Sequence, residues 1–99
     1  MKISVRFESF VDIHDVKRIV NYSEQGWKLG KLDEDLSDMV MVFKTEEIDT
    51  GNYSPMMYAK AISKMSNGYF YVADFYYKDS KGKYHYFKRN ENEEFEEEK

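Results

Sequence analysis

Two histidines are the side chains best suited by type to acid–base chemistry near neutral pH. General acid–base catalysis needs such a group held beside a substrate. His14 lies between Asp12 and Asp15, and three potential ligands so close together at one helix start cannot all converge on a metal ion. His85 alternates with tyrosines in a strand-like segment, which favours a stacking or surface role. We therefore predict no enzymatic activity and no metal site.

Other motifs of catalysis and cofactor binding are also missing from the sequence. The chain has no cysteine, which excludes thiol nucleophiles, disulfides and thiolate metal sites. The segment that begins at Asp33 does not match the pattern of a calcium-binding loop. Asp38 occupies the position of the required glycine, and Lys44 occupies the position of the bidentate glutamate. No phosphate-binding glycine loop or dinucleotide fingerprint is present. We expect no cofactor.

Charge is segregated along the chain more strongly than the net charge of −4 suggests. Residues 33–49 carry one base and seven acids, namely Asp33, Glu34, Asp35, Asp38, Glu46, Glu47 and Asp49. Clustered carboxylates can imitate the phosphates of a nucleic acid and so engage a basic protein surface. These acidic residues are the first candidate partner-binding site.

A second candidate site combines rings and bases near the C-terminal end. Its members are Tyr76, Tyr77, Lys78, Lys81, Lys83, Tyr84, Tyr86, Lys88 and Arg89, with Phe87 as a further ring. Bases of single-stranded nucleic acid stack on such rings, and lysines attract the phosphates. The acidic net charge, the presence of only three arginines and a competing acidic segment 90–99 make nucleic acid the less favoured partner.

Hydrophobic periodicity predicts the elements that must position these residues. Alternation over 2–9 predicts a strand, and helical spacing from Asp12, as the N-cap, to Gly26 predicts a helix over 13–25. Trp27 is predicted as a core residue. The remaining predictions are strands over 27–32 and 39–43, a loop over 46–53, a helix from Ser54-Pro55 to Asn67-Gly68, a β-hairpin over 69–77 and 84–88 turning at 79–82, and a flexible acidic tail over 90–99.

The predicted order β-α-β-β-α-β-β is typical of an α+β, ferredoxin-like (split βαβ) domain with an extra C-terminal edge strand. We expect a single domain over 1–89, both helices on one face of a mainly antiparallel sheet, and aromatic side chains exposed on the other face. A curled antiparallel sheet around one helix is an alternative with the same elements.

The composition is that of a small globular domain. The 99 residues are 41% apolar and 34% charged, and aromatic residues, at 17%, are unusually frequent. No apolar run is long enough to span a bilayer or to form the core of a signal peptide. We expect a cytoplasmic protein, in the host cytoplasm if it is phage-encoded, without a membrane partner.

Small size, acidity, absence of cysteine and absence of a catalytic constellation together resemble the small proteins with which phages and mobile elements block host nucleases, including anti-CRISPR proteins and DNA mimics. The resemblance is one of general character and implies no particular functional positions. We accordingly predict a non-enzymatic protein-binding module that inhibits a basic nucleic-acid-handling enzyme. The alternatives are a single-stranded nucleic-acid-binding protein and a structural homodimer.

Overall fold

The protein is α+β, with two helices and a six-stranded sheet in the residues that the computed structural model describes, which are 1–32, 38–65 and 69–98. The elements are β1 (Lys2–Asp12), α1 (Val16–Glu24), β2 (Lys28–Leu32), β3 (Met39–Asp49), α2 (Pro55–Met65), β4 (Tyr71–Lys78), β5 (Tyr84–Arg89) and β6 (Phe95–Glu98). The sheet order is β2-β3-β1-β4-β5-β6, with antiparallel pairing of β2 to β3, β4 to β5 and β5 to β6. None of the helices in these ranges is long and apolar enough to cross a membrane.

The chain forms two compact units. The first comprises Met1–Phe7 with Thr45–Lys99, and its buried residues are Ile3, Val5, Phe7, Thr50, Ala59, Val72 and Phe75. The second comprises Glu8–Lys44, and its buried residues are Ser9, Val11, Trp27, Val40 and Val42. The predicted core role of Trp27 is confirmed, since only 7% of this residue is exposed.

Strand β1 is longer than predicted, and α1 begins later. Val11 is buried, so the inward alternation continues past the predicted end of the strand. The carboxylate of Asp12 accepts hydrogen bonds from the backbone and ring of His14 instead of capping the helix. The N-cap is Asp15, whose side chain accepts a hydrogen bond from the Arg18 amide. The predicted helix start was wrong because the sequence offers two aspartates with capping chemistry three residues apart.

Strand β3 also extends further than predicted, through Asp49 and into the segment that we expected to be a loop. Val40 and Val42 are buried while Met39, Met41 and Phe43 are half-buried, as expected of a strand inside a sheet. The polar second half is paired: the Lys2 Nζ lies 3.5 Å from the Glu47 carboxylate, and the Thr50 amide donates to the Met1 carbonyl. The polar residues therefore do not end the strand, because Met1 and Lys2 provide partners for their polar groups.

Helix α2 and the β4–β5 hairpin form as predicted, except that β4 begins at Tyr71 and not at residue 69. The Ser54 hydroxyl accepts a hydrogen bond from the Met57 amide, and Pro55 occupies the first turn. The predicted stop at Asn67-Gly68 lies outside the described residues. In the hairpin turn the Gly82 amide donates to the Asp79 carbonyl, and Gly82 has a φ of 84°, which favours glycine.

The acidic segment 90–99, predicted as a flexible tail, contains an ordered strand. Asn90 organises a turn by accepting hydrogen bonds from the Asn92 and Glu94 amides on its side-chain oxygen. Strand β6 then pairs with β5, so that β6 and not β5 lies at the edge of the sheet. Like-charge repulsion was expected to keep the segment unpaired, but bases on β5 and the aromatic anchor Phe95 compensate it.

Candidate partner-binding face

The register of β4, β5 and β6 sorts their side chains onto two faces, because residues directly opposite each other point the same way. One face, which we call the tyrosine face, carries Asp74, Tyr76, Lys78, Tyr84, Tyr86, Lys88, Glu96 and Glu98. The other, the phenylalanine face, carries Phe75, Tyr77, His85, Phe87, Arg89, Phe95 and Glu97. The elements of both faces belong to the first unit.

The tyrosine face presents a group of neighbouring rings to solvent. The Tyr76 ring lies 5.0 Å from that of Tyr86 and 6.3 Å from that of Tyr84, measured between centroids. Tyr84 is 55% exposed and Tyr86 50% exposed. The Lys78 ammonium lies 5.7 Å from the centre of the Tyr84 ring, within cation–π range. The predicted exposure of aromatic side chains on the sheet is thus confirmed.

Charges of both signs surround these rings. Lys78 and Lys88 are exposed bases, while β6 contributes Glu96 and Glu98 on the same face. The Lys88 Nζ lies 3.9 Å from the Glu98 carboxylate. The tyrosine face is therefore not the uniformly basic surface that the hairpin sequence alone suggests.

A shallow groove of about 170 Å³ borders the tyrosine face. Its walls include Lys2, Ser4 and Glu47 together with the rings of Tyr76 and Tyr84. Lys2 and Glu47, which form an ion pair, both line the groove. The groove extends the accessible surface from the hairpin to residues of β1 and β3.

The phenylalanine face is a packed cluster. The rings of Phe75 and Phe87 stack with centroids 4.9 Å apart, and Phe95 meets Phe75 edge-on at 5.1 Å. The Arg89 guanidinium lies over the rings of Tyr71 and Phe95. Arg89 therefore contributes to packing beside β6 and does not share a face with Lys78 and Lys88.

His85 is held on the phenylalanine face by two carboxylates. Its Nε2 lies 2.9 Å from an Asp79 oxygen, and its Nδ1 lies 2.6 Å from a Glu97 oxygen. Its ring stacks on Tyr77 at 5.0 Å. The hydrogen bonds to Asp79 and Glu97 raise the pKa of His85 above its ordinary value of 6.5. The stacking role predicted for His85 is confirmed, whereas its two carboxylate partners were missed.

The other predicted hairpin residues are dispersed. Tyr77 points to the phenylalanine face, while Lys81 and Lys83 are exposed residues of the turn, where their backbone amides donate to Asp79. The missed contributors, Glu96 and Glu98, follow a turn-type segment rich in asparagine and then Phe95, a combination that can signal a further hairpin.

The first acidic site is only partly described. Asp33, Glu34 and Asp35 lie outside the described residues. Asp38 and Glu46 are exposed, Glu47 pairs with Lys2, and the Asp49 carboxylate accepts from the Gly51 amide and lies 3.5 Å from the Met1 amino group. The Gly51 amide and then the Met1 amino group lower the pKa of Asp49 below its ordinary range.

The second histidine is a surface residue. The His14 side chain is 73% exposed, and its Nδ1 lies 3.0 Å from the Asp12 carboxylate. The backbone and ring hydrogen bonds from His14 lower the pKa of Asp12. Within the described ranges, no group of three or more His, Asp or Glu side chains is placed to hold a metal ion.

Comparison with protein-family models, curated proteins and solved structures found no match.

Proposed function

We propose that this protein is a small non-enzymatic protein-binding module that inhibits a basic nucleic-acid-handling enzyme through its tyrosine face. The observation that carries the proposal is the pairing of β6 with β5. This pairing puts Glu98 opposite Tyr86 and Glu96 opposite Lys88. Aromatic anchors and carboxylates, separate in the sequence analysis, thereby share one surface.

The exposed tyrosines suit the centre of a protein interface. A tyrosine supplies a large contact area with few rotatable bonds, and buried tyrosines are frequent hot spots of binding energy. Tyr84 and Tyr86 are about half exposed, so each retains area that a partner can still cover. Their mutual packing with Tyr76 limits the side-chain entropy that binding would remove.

The carboxylates near the tyrosines favour a basic partner. The turn after β5 and strand β6 expose Glu91, Glu93, Glu94, Glu96 and Glu98. Glu96 and Glu98 lie on β6, the terminal strand of the sheet, and the other three precede it in the turn. Opposite potentials accelerate encounter and select the partner, and enzymes that handle nucleic acids present basic channels.

Single-stranded nucleic-acid binding is the second candidate. Three rings flanked by Lys78 and Lys88 on one sheet face are the usual material of a base-stacking surface. Glu96 and Glu98 on that same face would repel phosphates. This alternative therefore requires β6 to leave β5, which the protein-binding proposal does not.

The fold proposal is finer than the α+β description. We propose a ferredoxin-like arrangement of the first four strands, with both helices on one sheet face. In a split βαβ unit, a further strand lies between the two strands that a helix connects. The order β2-β3-β1-β4 supports this arrangement, since β3 lies between the strands joined by α1.

The binding proposal can be tested by affinity capture from cells of the source. We expect wild-type protein to retain a nucleic-acid-handling enzyme and to inhibit that enzyme after purification. A Tyr84→Ala, Tyr86→Ala variant should bind the purified enzyme at least about tenfold more weakly, because two hot-spot rings are lost. Tyr53→Ala is the matched control, since Tyr53 is 63% exposed but is not part of the tyrosine face.

Unchanged affinity in the double tyrosine variant would overturn the assignment to this face. A mobility-shift assay with single-stranded oligonucleotides, at about 50 and about 200 mM salt, tests the alternative of nucleic-acid binding. We expect no shift from the wild-type protein. A salt-sensitive shift abolished by Lys78→Glu, Lys88→Glu, and unaffected by Lys60→Glu on α2, would replace the inhibitor proposal with nucleic-acid binding.

A further inference from the structure

His85 links three elements of the sheet through one imidazole ring. The ring stacks on Tyr77 of β4, bonds to Asp79 in the β4–β5 turn and bonds to Glu97 of β6. The His85 side chain is only 20% exposed, so these partners enclose most of it. Strand β6 thus depends on a side chain whose protonation changes near neutral pH.

Both ring nitrogens can donate only when the imidazole is protonated. Ionised carboxylates accept hydrogen bonds and cannot donate them, so the bonds to Asp79 and Glu97 together require the imidazolium form. Neutral histidine keeps one N–H and turns a bare lone pair towards the other carboxylate. When His85 loses one proton, one of its two hydrogen bonds to a carboxylate is therefore replaced by repulsion between a nitrogen lone pair and that carboxylate.

The Asp79 link is the better fixed of the two. A second oxygen of Asp79 accepts hydrogen bonds from the Lys81 and Lys83 amides, both at 2.9 Å, which orients the carboxylate within the turn. The Glu97 side chain is 41% exposed on the edge strand. We therefore infer that neutral His85 keeps its proton on Nε2, towards Asp79, and that Glu97 loses its donor.

Besides the backbone pairing with β5, β6 makes few side-chain contacts in the described part of the chain, one of which is the Asn90 amide that donates to the Glu96 carboxylate at 2.9 Å. Phe95 packs on Phe75 and under Arg89, and Glu98 lies 3.9 Å from the Lys88 ammonium. The strand has four residues, of which three are glutamates that repel one another. A four-residue edge strand has a pairing partner on one side only, so the loss of one ionic hydrogen bond matters here.

We propose that His85 is a pH-sensitive latch that holds β6 on β5 while the imidazole is doubly protonated, and that β6 loosens as the pH rises. Among the described residues, the groups that face the ring are Asp79 from the turn, Glu97 from β6 and the Tyr77 ring from β4. Opening removes Glu96 and Glu98 from the tyrosine face. The latch concerns the protein alone and does not depend on the identity of any partner.

The direction of the effect follows from the raised pKa of His85. A group whose pKa is higher in the folded state stabilises that state fully below its unfolded value, here 6.5, and loses this contribution as the pH rises through the folded value. Attachment of β6 is therefore strongest in mildly acidic solution and weakest in mildly alkaline solution.

The test follows the Phe95 ring by carbon–proton NMR, because ring protons do not exchange with water. The neighbouring Phe75 ring displaces the Phe95 chemical shifts from the values of a free chain. We expect the Phe95 shifts to move towards free-chain values as the pH rises from about 5.5 to about 9. The midpoint of this change should equal the midpoint of the titration of the His85 ring signals. In His85→Gln the Phe95 signals should lie near their high-pH positions throughout this range. His14→Gln, the matched control, should behave like wild type.

Two results would overturn the latch. One is a Phe95 signal that stays constant while His85 titrates in the wild-type protein. The other is an unchanged pH response in Glu97→Ala, which removes the acceptor on β6 and leaves Asp79 intact. The near-ultraviolet signal of Trp27, in the second unit, reports whether each variant is folded.

Discussion

At the residue scale, neighbouring aromatic side chains of one hairpin lie in opposite environments. Phe75 is fully buried and packs against Phe87 and Phe95, whereas Tyr84 and Tyr86 are about half exposed on the other face. A phenolic oxygen is cheaper to keep in water than to bury unpaired, which suits Tyr84 and Tyr86 to the exposed face. Alternation along the strands then separates a packing face from a candidate binding face.

Phe75→Ala should lower the free energy of unfolding by about 3–5 kcal/mol, since it removes a fully buried ring and leaves a cavity. Urea unfolding followed by circular dichroism measures the change. Phe75→Leu, which keeps most of the volume, should cost less than half as much. A loss from Phe75→Ala no larger than that from Tyr86→Ala would contradict the assignment of Phe75 to the core.

At the element scale, the end of α1 shows how local sequence can specify local structure. The Gly26 amide donates to the Ser23 carbonyl and the Trp27 amide donates to the Tyr22 carbonyl, which is the Schellman arrangement. Its usual hydrophobic contact is present, because the Tyr22 and Trp27 rings meet at 5.0 Å. Gly26 has a φ of 89°, so glycine is required for conformation and not for space.

Gly26→Ala should therefore lower the free energy of unfolding by about 1 kcal/mol, the cost of a left-handed backbone for a residue with a Cβ. Nothing lies within 4 Å of a Cβ built at this position, so no steric clash contributes. Gly26→Asn should cost less, because asparagine tolerates this conformation better. Equal losses in the two variants, measured by urea unfolding, would show that the helix stop does not set the cost.

At the scale of the whole molecule, the net charge of −4 conceals four opposed blocks. Residues 1–32 sum to +2, 33–49 to −6, 55–89 to +5 and 90–99 to −5. The fold brings part of the last block against part of the third, through the Glu97–His85 and Glu98–Lys88 contacts. Charge segregation in the sequence is thus partly cancelled within the first unit.

Acid should destabilise the protein through specific aspartates. The hydrogen bond with His85 and then the Lys83 amide lower the pKa of Asp79, while the Gly51 amide lowers that of Asp49. Their contributions are complete above the ordinary value of 3.8 and disappear as the pH falls through the lower folded values. Urea unfolding below about pH 4 should show a steep loss of stability.

The acid-induced loss should be shallower in Asp79→Asn and in Asp49→Asn, because each variant removes one group that must be protonated. The two effects should be roughly additive, since the carboxylates share no hydrogen-bond partner in the described contacts. An acid profile unchanged by either substitution would assign the loss to general charge repulsion.

Sequence alone determined what short-range chemistry controls. The alternation of β1, the cap and proline of α2, the Gly26 helix stop and the turn at Gly82 all depend on residues close together in the chain. The α+β composition of two helices and strands followed from these signals. Their physical basis is local: backbone conformation and the satisfaction of nearby polar groups.

Tertiary structure decided everything that depends on distant partners. The acidic segment repels itself and was predicted to be a tail, yet Phe75, His85 and Lys88 supply the packing and charge that hold β6 in place. Strand pairing then placed the carboxylates of Glu96 and Glu98 on the tyrosine face. Such compensation is invisible in the segment itself, because the stabilising groups belong to other strands.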